Sequence, residues 1–440
     1  MAKKIKIYAV GGYNYVGKNM TIVDFLDHAI VIDAGLNMDQ YTKLTEQIET
    51  EEEITEKMLI SYDIIPDLRS YKDITKRVDI IIITHAHLDH VGALPYLLHH
   101  FKNPIILCTP YTAEILRRLI LEINSNIKPN IKTLFPNSKI KINNTQIDFI
   151  YITHSIPQTI VVRIQRDDFV LFYANDFKLD HNPILGGKVN YEALVDQRPD
   201  VLILDSTRIE LLGKTPSESV VEGMLREILL LPNLASKGII MTTFASHIAR
   251  LKTMEKVGKK FNRTVMFLGR SFKNYIHAAE KADIAKFESE IVSYKGKIKR
   301  TLKKVMKDDA SKYLLIVTGH QGEKGSVLRE IVTGNIKFDL RNFAVVFSCS
   351  KIPTPTSMAN REFLEQKLQE IKVPIFTDVH VSGHASREDL RSFIEIIKPK
   401  LVIPAHGDLE KRSKLALLCK EINVPYVLLS DNDSMLIEKP

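Results

Sequence analysis

Apolar and β-branched residues fall in short runs separated by turn formers at the start of the chain: Ile5 to Val10, Met20 to Phe25, and Ala29 to Asp33, which closes on Ala34-Gly35. Spacings this short, with Gly-rich turns, predict strands forming an antiparallel start to a sheet. The apolar run Val78 to Ile83 predicts a buried strand ending at Thr84, followed by a helix from about Val91 to His100. From Ile105 to Val170 the pattern predicts alternating strands and helices. Strands at Ile147 to Thr153, Phe169 to Ala174 and Val201 to Leu204 complete this part.

From Thr215 the period changes. A helix around Ser217 to Leu230, a strand Gly238 to Thr243, a helix Ser246 to Lys260 and a strand Thr264 to Leu268 read as a βαβ-type unit with right-handed crossovers. The earlier pattern returns with a strand Val373 to Val381, a helix Glu388 to Ile397 and a strand Leu401 to Pro404. The chain is thus expected to divide into 1–210, 211–372 and 373–440, with the middle segment a second domain.

Composition narrows the class. A chain of 440 residues suggests two or three units of ordinary size. Its 45% hydrophobic and 26% charged residues are those of a soluble globular protein. No apolar run approaches the ~18 to 20 residues of a membrane span, so no membrane partner is expected. The start, Met1-Ala-Lys-Lys-Ile-Lys-Ile, passes directly into a strand-like alternation without a signal core, which makes a cytoplasmic location the default expectation. Cys108, Cys349 and Cys419 sit singly in apolar runs and read as small buried hydrophobes. Any zinc is therefore expected on His and carboxylate.

The net charge of +8 is unevenly spread. Residues 211–375 hold 29 Lys and Arg against 16 Asp and Glu, while the remainder is slightly acidic. A basic middle in an acidic frame is the electrostatic footprint of a protein that binds a polyanion. Residues 46–57, with Glu46, Glu49, Glu51, Glu52, Glu53 and Glu56, are expected to be a solvated acidic face. Lys295 to Lys307 is expected to be a solvated basic helix.

The chemistry concentrates at strand ends. Thr84-His-Ala-His-Leu-Asp-His places His85, His87, Asp89 and His90 within six positions. In an extended segment His85, His87 and Asp89 project to one side while His90 swings across at the turn, so one peptide can serve two adjacent metal ions. His154 and Asp176 end later strands, and a carboxylate able to bridge two ions completes such a set. His384 and His406 stand in glycine-flanked loops where packing does not explain them. His99 and His100 lie beyond reach of the turn and read as surface residues. Three loops, Thr243-Phe-Ala-Ser246-His247, Gly269-Arg270-Ser271 and Thr318-Gly319-His320-Gln-Gly322-Glu, offer hydroxyls and glycine amides to an anion, or serve as ordinary strand-to-helix connections.

In this order, Asp33, His85-x-His87-x-Asp89-His90, His154, Asp176 and His406 resemble the motifs of the metallo-β-lactamase superfamily. Asp205, His384 and His406 resemble the added motifs of its β-CASP nuclease branch. Thr-His-Ser-Ile-Pro, Asp-Ser-Thr-Arg, Thr-Gly-x-Gln-Gly-Glu, Val-Ser-Gly-His-Ala-Ser and Pro-x-His-Gly are most similar to the ribonuclease J family, and the short length resembles its archaeal type, without the extra C-terminal domain of bacterial forms. His320 stands where that family commonly has Ser, and His247 where Asn is frequent.

The resemblance implies an α/β fold: an αββα sandwich built from both ends of the chain, with an inserted α/β β-CASP domain and a basic cleft between them. It implies a hydrolase with two Zn2+ ions, Mn2+ being the alternative. His85, His87 and His154 would hold one ion and Asp89, His90 and His406 the other, with Asp176 bridging. Asp89, His384, Asp205 and Asp33 are the implied catalytic set: Asp33 orients a ligand, and His384, fixed by Asp205, serves the leaving oxygen. Ser246, His247, Arg270, Gly319, His320, Gly322, Ser382 and Ser386 are the implied substrate and phosphate contacts. RNA is the expected substrate, cut 5′-to-3′ from a 5′-monophosphate, internally, or both, by a homodimer. The alternatives are an endoribonuclease of the RNA 3′-end-processing type, a small-molecule ester or thioester hydrolase, and an RNA-binding protein without activity.

Overall fold

The computed structural model describes residues 3–48 and 54–439, so Glu49 and Glu51 to Glu53 of the acidic stretch lie outside the described residues. The chain forms two compact units. One comprises the chain up to His181, Lys188–Thr215 and everything from Gly383; the other comprises Asn182–Gly187 and Pro216–Ser382.

In chain order the strands of the first unit are β1 (Lys3–Gly11), β2 (Met20–Asp24), β3 (Ala29–Ile32), β4 (Val78–Ile82), β5 (Ile105–Cys108), β6 (Asn130–Thr133), β7 (Ser138–Ile142), β8 (Thr145–Tyr151), β9 (Ile160–Arg166), β10 (Phe169–Ala174) and β11 (Val201–Asp205). The second unit supplies β12 (Gly238–Thr242), β13 (Thr264–Leu268), β14 (Glu290–Val292), β15 (Tyr313–Val317), β16 (Phe343–Phe347) and β17 (Ile375–Phe376). The chain returns to the first unit for β18 (Val402–Ala405) and β19 (Ser434–Lys439).

Two sheets make the first unit, ordered β19-β1-β2-β3-β4-β5-β6 and β18-β11-β10-β9-β8-β7. As expected, β1, β2 and β3 pair antiparallel. Alternation puts Ile7, Ile30, Ile32, Ile80 and Ile82 of one sheet against Phe149, Val162, Leu171 and Ile203 of the other in a shared core. Fully burying each such side chain contributes ~1.5 to 3 kcal/mol. The opposite faces are covered by helices: Ile81 and Ile106 pack with Leu94 and Leu116, and Phe172 and Leu204 pack with Phe393 and Leu418. The result is an αββα sandwich closed by both chain ends, with Ile5 opposite Ile437 and Asp205 opposite Ala405.

In the second unit every neighbouring pair in the order β14-β13-β15-β12-β16-β17 runs parallel. That is the βαβ pattern read from the sequence.

Three expectations need correction. Between Ile105 and Val170 a single helix, Pro110–Ile123, is followed by five strands rather than by alternation. Asn143 and Asn144, both at positive φ (48° and 62°), make the turn of the β7–β8 hairpin, and Asp167 (φ 53°) turns β9 into β10. The helix expected at Val91 to His100 is three short pieces, Leu88–Val91, Leu94–Leu97 and the 3-10 turn Leu98–His100, interrupted at Gly92-Ala93 with Pro95 opening the second. The strand Val373 to Val381 shrinks to β17, bracketed by Pro374 and by Asp378 at φ 61°.

The cysteines are free and buried. No helix among the described residues is long and apolar enough to cross a membrane.

Candidate metal centre

The chain leaves β4 at Ile82, bends at Ala86 and passes through His87 in extended backbone (φ −73°, ψ 145°) before turning into the helix Leu88–Val91. His90 stands on a turn as expected, but Asp89 shares that first helical turn instead of lying on the extended segment with His85 and His87. The tight entry depends on Gly35, because a Cβ there would lie 1.6 Å from the Asp89 carbonyl oxygen. His154 comes from the loop after β8, Asp176 from that after β10, and His406 from that after β18. Asp33, Asp176 and His406 all hold left-handed φ (61°, 57° and 56°). Each costs ~1 to 2 kcal/mol of backbone strain in return for aiming its side chain inward.

Seven side chains meet in two overlapping groups, His85, His87, His154 and Asp176, and Asp89, His90, Asp176 and His406. In the first, His87 Nδ1 lies 3.1 Å from His85 Nε2 and 3.2 Å from His154 Nε2, and Asp176 Oδ2 lies 3.5 Å and 3.4 Å from those two nitrogens. In the second, Asp176 Oδ1 is 3.0 Å from His406 Nε2 and 3.2 Å from His90 Nε2, each of which is 3.7 Å from Asp89 Oδ2.

This arrangement fits metal ions. Three imidazole nitrogens face one another, although neutral rings cannot all donate to each other. Asp176 Oδ1 is buried with no hydrogen bond aligned on it. The donor set of imidazoles and carboxylates is that of zinc and related divalent ions.

Three of the candidate ligands, His90, His154 and His406, are oriented from behind. His90 Nδ1–H donates to Asp33 Oδ2 (2.7 Å), and Asp33 also accepts the Thr84 backbone N–H at 2.8 Å and its hydroxyl. His154 Nδ1–H donates to the Gly383 carbonyl at 2.7 Å. Gly383 has to lack a side chain, since a Cβ would meet His154 Nδ1 and the Ser155 backbone nitrogen at 2.9 Å. The Thr153 hydroxyl donates to the Lys178 carbonyl (2.6 Å) and accepts from the Asp180 N–H (3.0 Å), which ties the loop bearing His154 to the one bearing Asp176.

Burial holds His85, His87 and His154 well below the usual imidazole range, in the neutral form a metal requires. Burial alone would raise Asp176, but His406, His90 and His384 keep its carboxyl well below the ordinary range. Burial pushes Asp89 up.

His384 stands beside this cluster. Its Nδ1 lies 2.8 Å from Asp205 Oδ2, and its Nε2 is 3.9 Å from Asp176 Oδ2. Asp205 is itself fixed by the Thr207 N–H at 2.7 Å and the Thr207 hydroxyl. Burial opposes charge on His384, but Asp205 and Asp176 outweigh it and raise the imidazole to about 9.

Asn19 was not legible in the sequence as part of this site. It is buried, its Oδ1 accepts from His406 Nδ1–H (2.8 Å), and its Nδ2 donates to the Asp89 carbonyl (2.9 Å). A single Asn before a strand carries no spacing signal. Only its place under two ligands reveals it.

The proposed phosphate contacts are spread over both units. In the second, the His247 side chain accepts from the Arg250 N–H as N-cap of Ile248–Lys260, next to the buried Ser246, and exposed Arg270 opens the helix Arg270–Lys281. Gly319 and Gly322 take positive φ (113° and 76°), and the His320 ring packs on Phe244 at 4.1 Å between centroids. Ser382 ends that unit as a buried residue. Ser386, in the first unit, caps the helix Arg387–Ile397 in a capping box with Asp389.

Three family models match the chain: a beta-lactamase superfamily domain at 60–230, the ribonuclease J beta-CASP domain at 236–364, and a Zn-dependent metallo-hydrolase RNA specificity domain at 370–428. Ribonuclease J of Methanocaldococcus jannaschii is 36% identical over 426 residues, 95% of this chain and 94% of that one. The chain belongs to the ribonuclease J family. Ribonuclease J of Pyrococcus abyssi is likewise 36% identical, over 95% of this chain and 93% of that one. Ribonuclease J of Helicobacter pylori strain J99 is 29% identical, and the match covers 98% of this chain but 60% of the longer protein. A crystal structure of a protein of unknown function from Enterococcus faecalis V583 has the same fold, with a TM-score of 0.70 and 18% identity over 99% of this chain and 100% of that one. The ribonuclease J family thus combines in this chain a metallo-β-lactamase sandwich with a β-CASP domain, and the seven converging side chains all stand in the sandwich.

Proposed function

We propose that this protein is a metal-dependent ribonuclease that hydrolyses RNA phosphodiester bonds 5′-to-3′ from a 5′-monophosphorylated end. The observation that carries the proposal is the meeting of two ligand groups on Asp176, within a chain of the ribonuclease J family. His85, His87 and His154 would hold one ion, Asp89, His90 and His406 the other, and Asp176 both. Zinc is favoured over manganese by the imidazole-rich set and by the matched Zn-dependent domain. A homodimer in the cytoplasm is the proposed setting.

When bound, the ions supply Lewis acidity at the phosphoryl oxygens and acidify the attacking water. The chain's own residues do the rest. Asp33 and Asn19 hold His90 and His406 with Nε2 facing inward. Asp205 holds the His384 ring by Nδ1, so that Nε2–H faces the cluster and donates a proton to the leaving oxygen. The Lys and Arg surplus of residues 211–375 draws in the polyanion. A neutral ester substrate has no use for that surplus, which disfavours a small-molecule hydrolase.

Two RNAs identical except for a 5′-monophosphate or 5′-triphosphate distinguish the modes. Mononucleotides released from the monophosphorylated RNA alone are the expected result. Long fragments from both would replace end-directed action with internal cleavage, and intact RNA in both would sink the proposal.

A further inference from the structure

Outside the centre at Asp176, Glu56, His99 and His100 form a third group able to hold a metal ion. Glu56 opens the helix Glu56–Ser61, and the two histidines end the 3-10 turn Leu98–His100. In an extended segment neighbouring side chains would diverge. Here the two Nε2 atoms approach the two oxygens of one carboxylate, His100 at 2.6 Å from Oε1 and His99 at 3.1 Å from Oε2. The ring centroids are 4.1 Å apart with planes inclined at 37°.

Hydrogen bonding explains half of this. His100 Nε2 has hydrogen-bond geometry to Glu56, but His99 Nε2, also close to the carboxylate, does not, and its ring is 58% exposed to water. A shared ion accounts for both. We propose that Glu56, His99 and His100 bind a divalent transition metal of the zinc type, independently of the centre at Asp176. Two imidazole nitrogens and a carboxylate are a zinc donor set with an open position for water, and such a set favours zinc, nickel or copper over magnesium. Bonds of ~2.0 Å in a tetrahedron put ligand atoms ~3.3 Å apart, and one ligand atom from each of the three residues lies within 4.8 Å of the others, so small side-chain shifts reach that spacing. Arg69 feels the charge of Glu56 but spends its hydrogen bonds on Asp67, through Nε (2.9 Å) and Nη2 (2.6 Å).

Position gives the ion a role. Leu59, Leu97 and Leu98 share one core cluster, so an ion there clamps the helix Glu56–Ser61 to the far end of the segment that begins with His85-x-His87-x-Asp89-His90. Binding only to the folded state raises its stability.

The test is zinc stoichiometry of the full chain by elemental analysis after titration, in the parent, in the double variant His99→Ala/His100→Ala and in Glu56→Gln. The parent is expected to bind one equivalent more than either variant, with RNA cleavage unchanged in both. A zinc-dependent rise in Tm that survives in His154→Ala/Asp176→Ala/His406→Ala, which removes ligands from both groups at Asp176, and that is lost when His99→Ala is added, is the second expected readout. Equal stoichiometry in parent and variants, or an extra equivalent that persists in both, would overturn the site. Because His99 is exposed, the single variant His99→Ala serves if the double variant does not fold, and unchanged stoichiometry there is equally decisive against it.

Discussion

His384 differs from His85, His87 and His154, which burial holds neutral, in having a carboxylate at Nδ1. Asp205 holds Nδ1 and, with Asp176, lifts the imidazole to about 9, so the ring remains a proton donor at neutral pH. Cleavage by a general acid persists while the acid is protonated and falls as pH rises through its pKa, which the Asp205 carboxylate raises. In Asp205→Asn the falling limb of the pH–rate profile is expected to move to lower pH, and His384→Ala is expected to slow cleavage by ~10² to 10⁴ with metal content intact. Metal loss in His384→Ala would make it a ligand instead. Asn19→Ala is expected to weaken the ion group of Asp89, His90 and His406 by ~10 to 100-fold while sparing the His85, His87, His154 group, read by metal titration. The histidines and Asp176 were visible in the sequence because ligand residues at strand ends in fixed order are rare by chance. Asn19 and Thr84 were not, since their work is done through hydrogen bonds that only the fold creates.

At the scale of elements, strand ends proved more legible than the helices and turns beyond them. The apolar run ending at Ile83 placed β4, but the break at Gly92-Ala93 was hidden inside a stretch of good periodicity. The β7 to β10 meander departs from the expected alternation, and its two tight turns use Asn and Asp in left-handed backbone rather than glycine. Gly35 shows how closely the metal turn depends on its neighbour element. Its Cα faces the Asp89 carbonyl with no room for a methyl group, while the Gly35 N–H bonds the Asn19 carbonyl at 3.0 Å. Gly35→Ala is expected to displace the turn carrying Asp89 and His90 and to lower metal content, with the far-ultraviolet circular dichroism of the fold retained. Full metal content in that variant would mean the turn adapts.

For the molecule as a whole, the parallel sheet of the second unit followed from periodicity, whereas closure of the first unit by both termini did not. Pairing of β1 with β19 joins residues more than 400 positions apart, and no local pattern encodes it; only the family resemblance implied it. The second unit has its own electrostatic keystone. Arg250, fully buried, pairs with Glu218 through Nε and Nη2, at 2.5 Å and 2.8 Å. Burial alone would raise the Glu218 carboxyl, but His247 and Arg250 hold it well below the usual range. A depressed folded pKa gives stability that is present above the unfolded value, ~4.3, and lost as pH falls toward the folded one. Acid unfolding monitored in the second unit is therefore expected to begin below that value. In Glu218→Gln at neutral pH, the stranded Arg250 is expected to cost ~3 to 5 kcal/mol, measured by denaturant titration. A variant as stable as the parent would show that Arg250 finds another partner.

The proposed hydrolysis rests on metal held where Asp176 joins the two candidate ligand groups, and RNA cleavage by chelator-stripped protein tests this most directly. Protein dialysed free of metal should leave 5′-monophosphorylated RNA intact and regain cleavage when zinc is returned, with no recovery in His154→Ala. Stripped protein that still degraded the RNA would contradict the account.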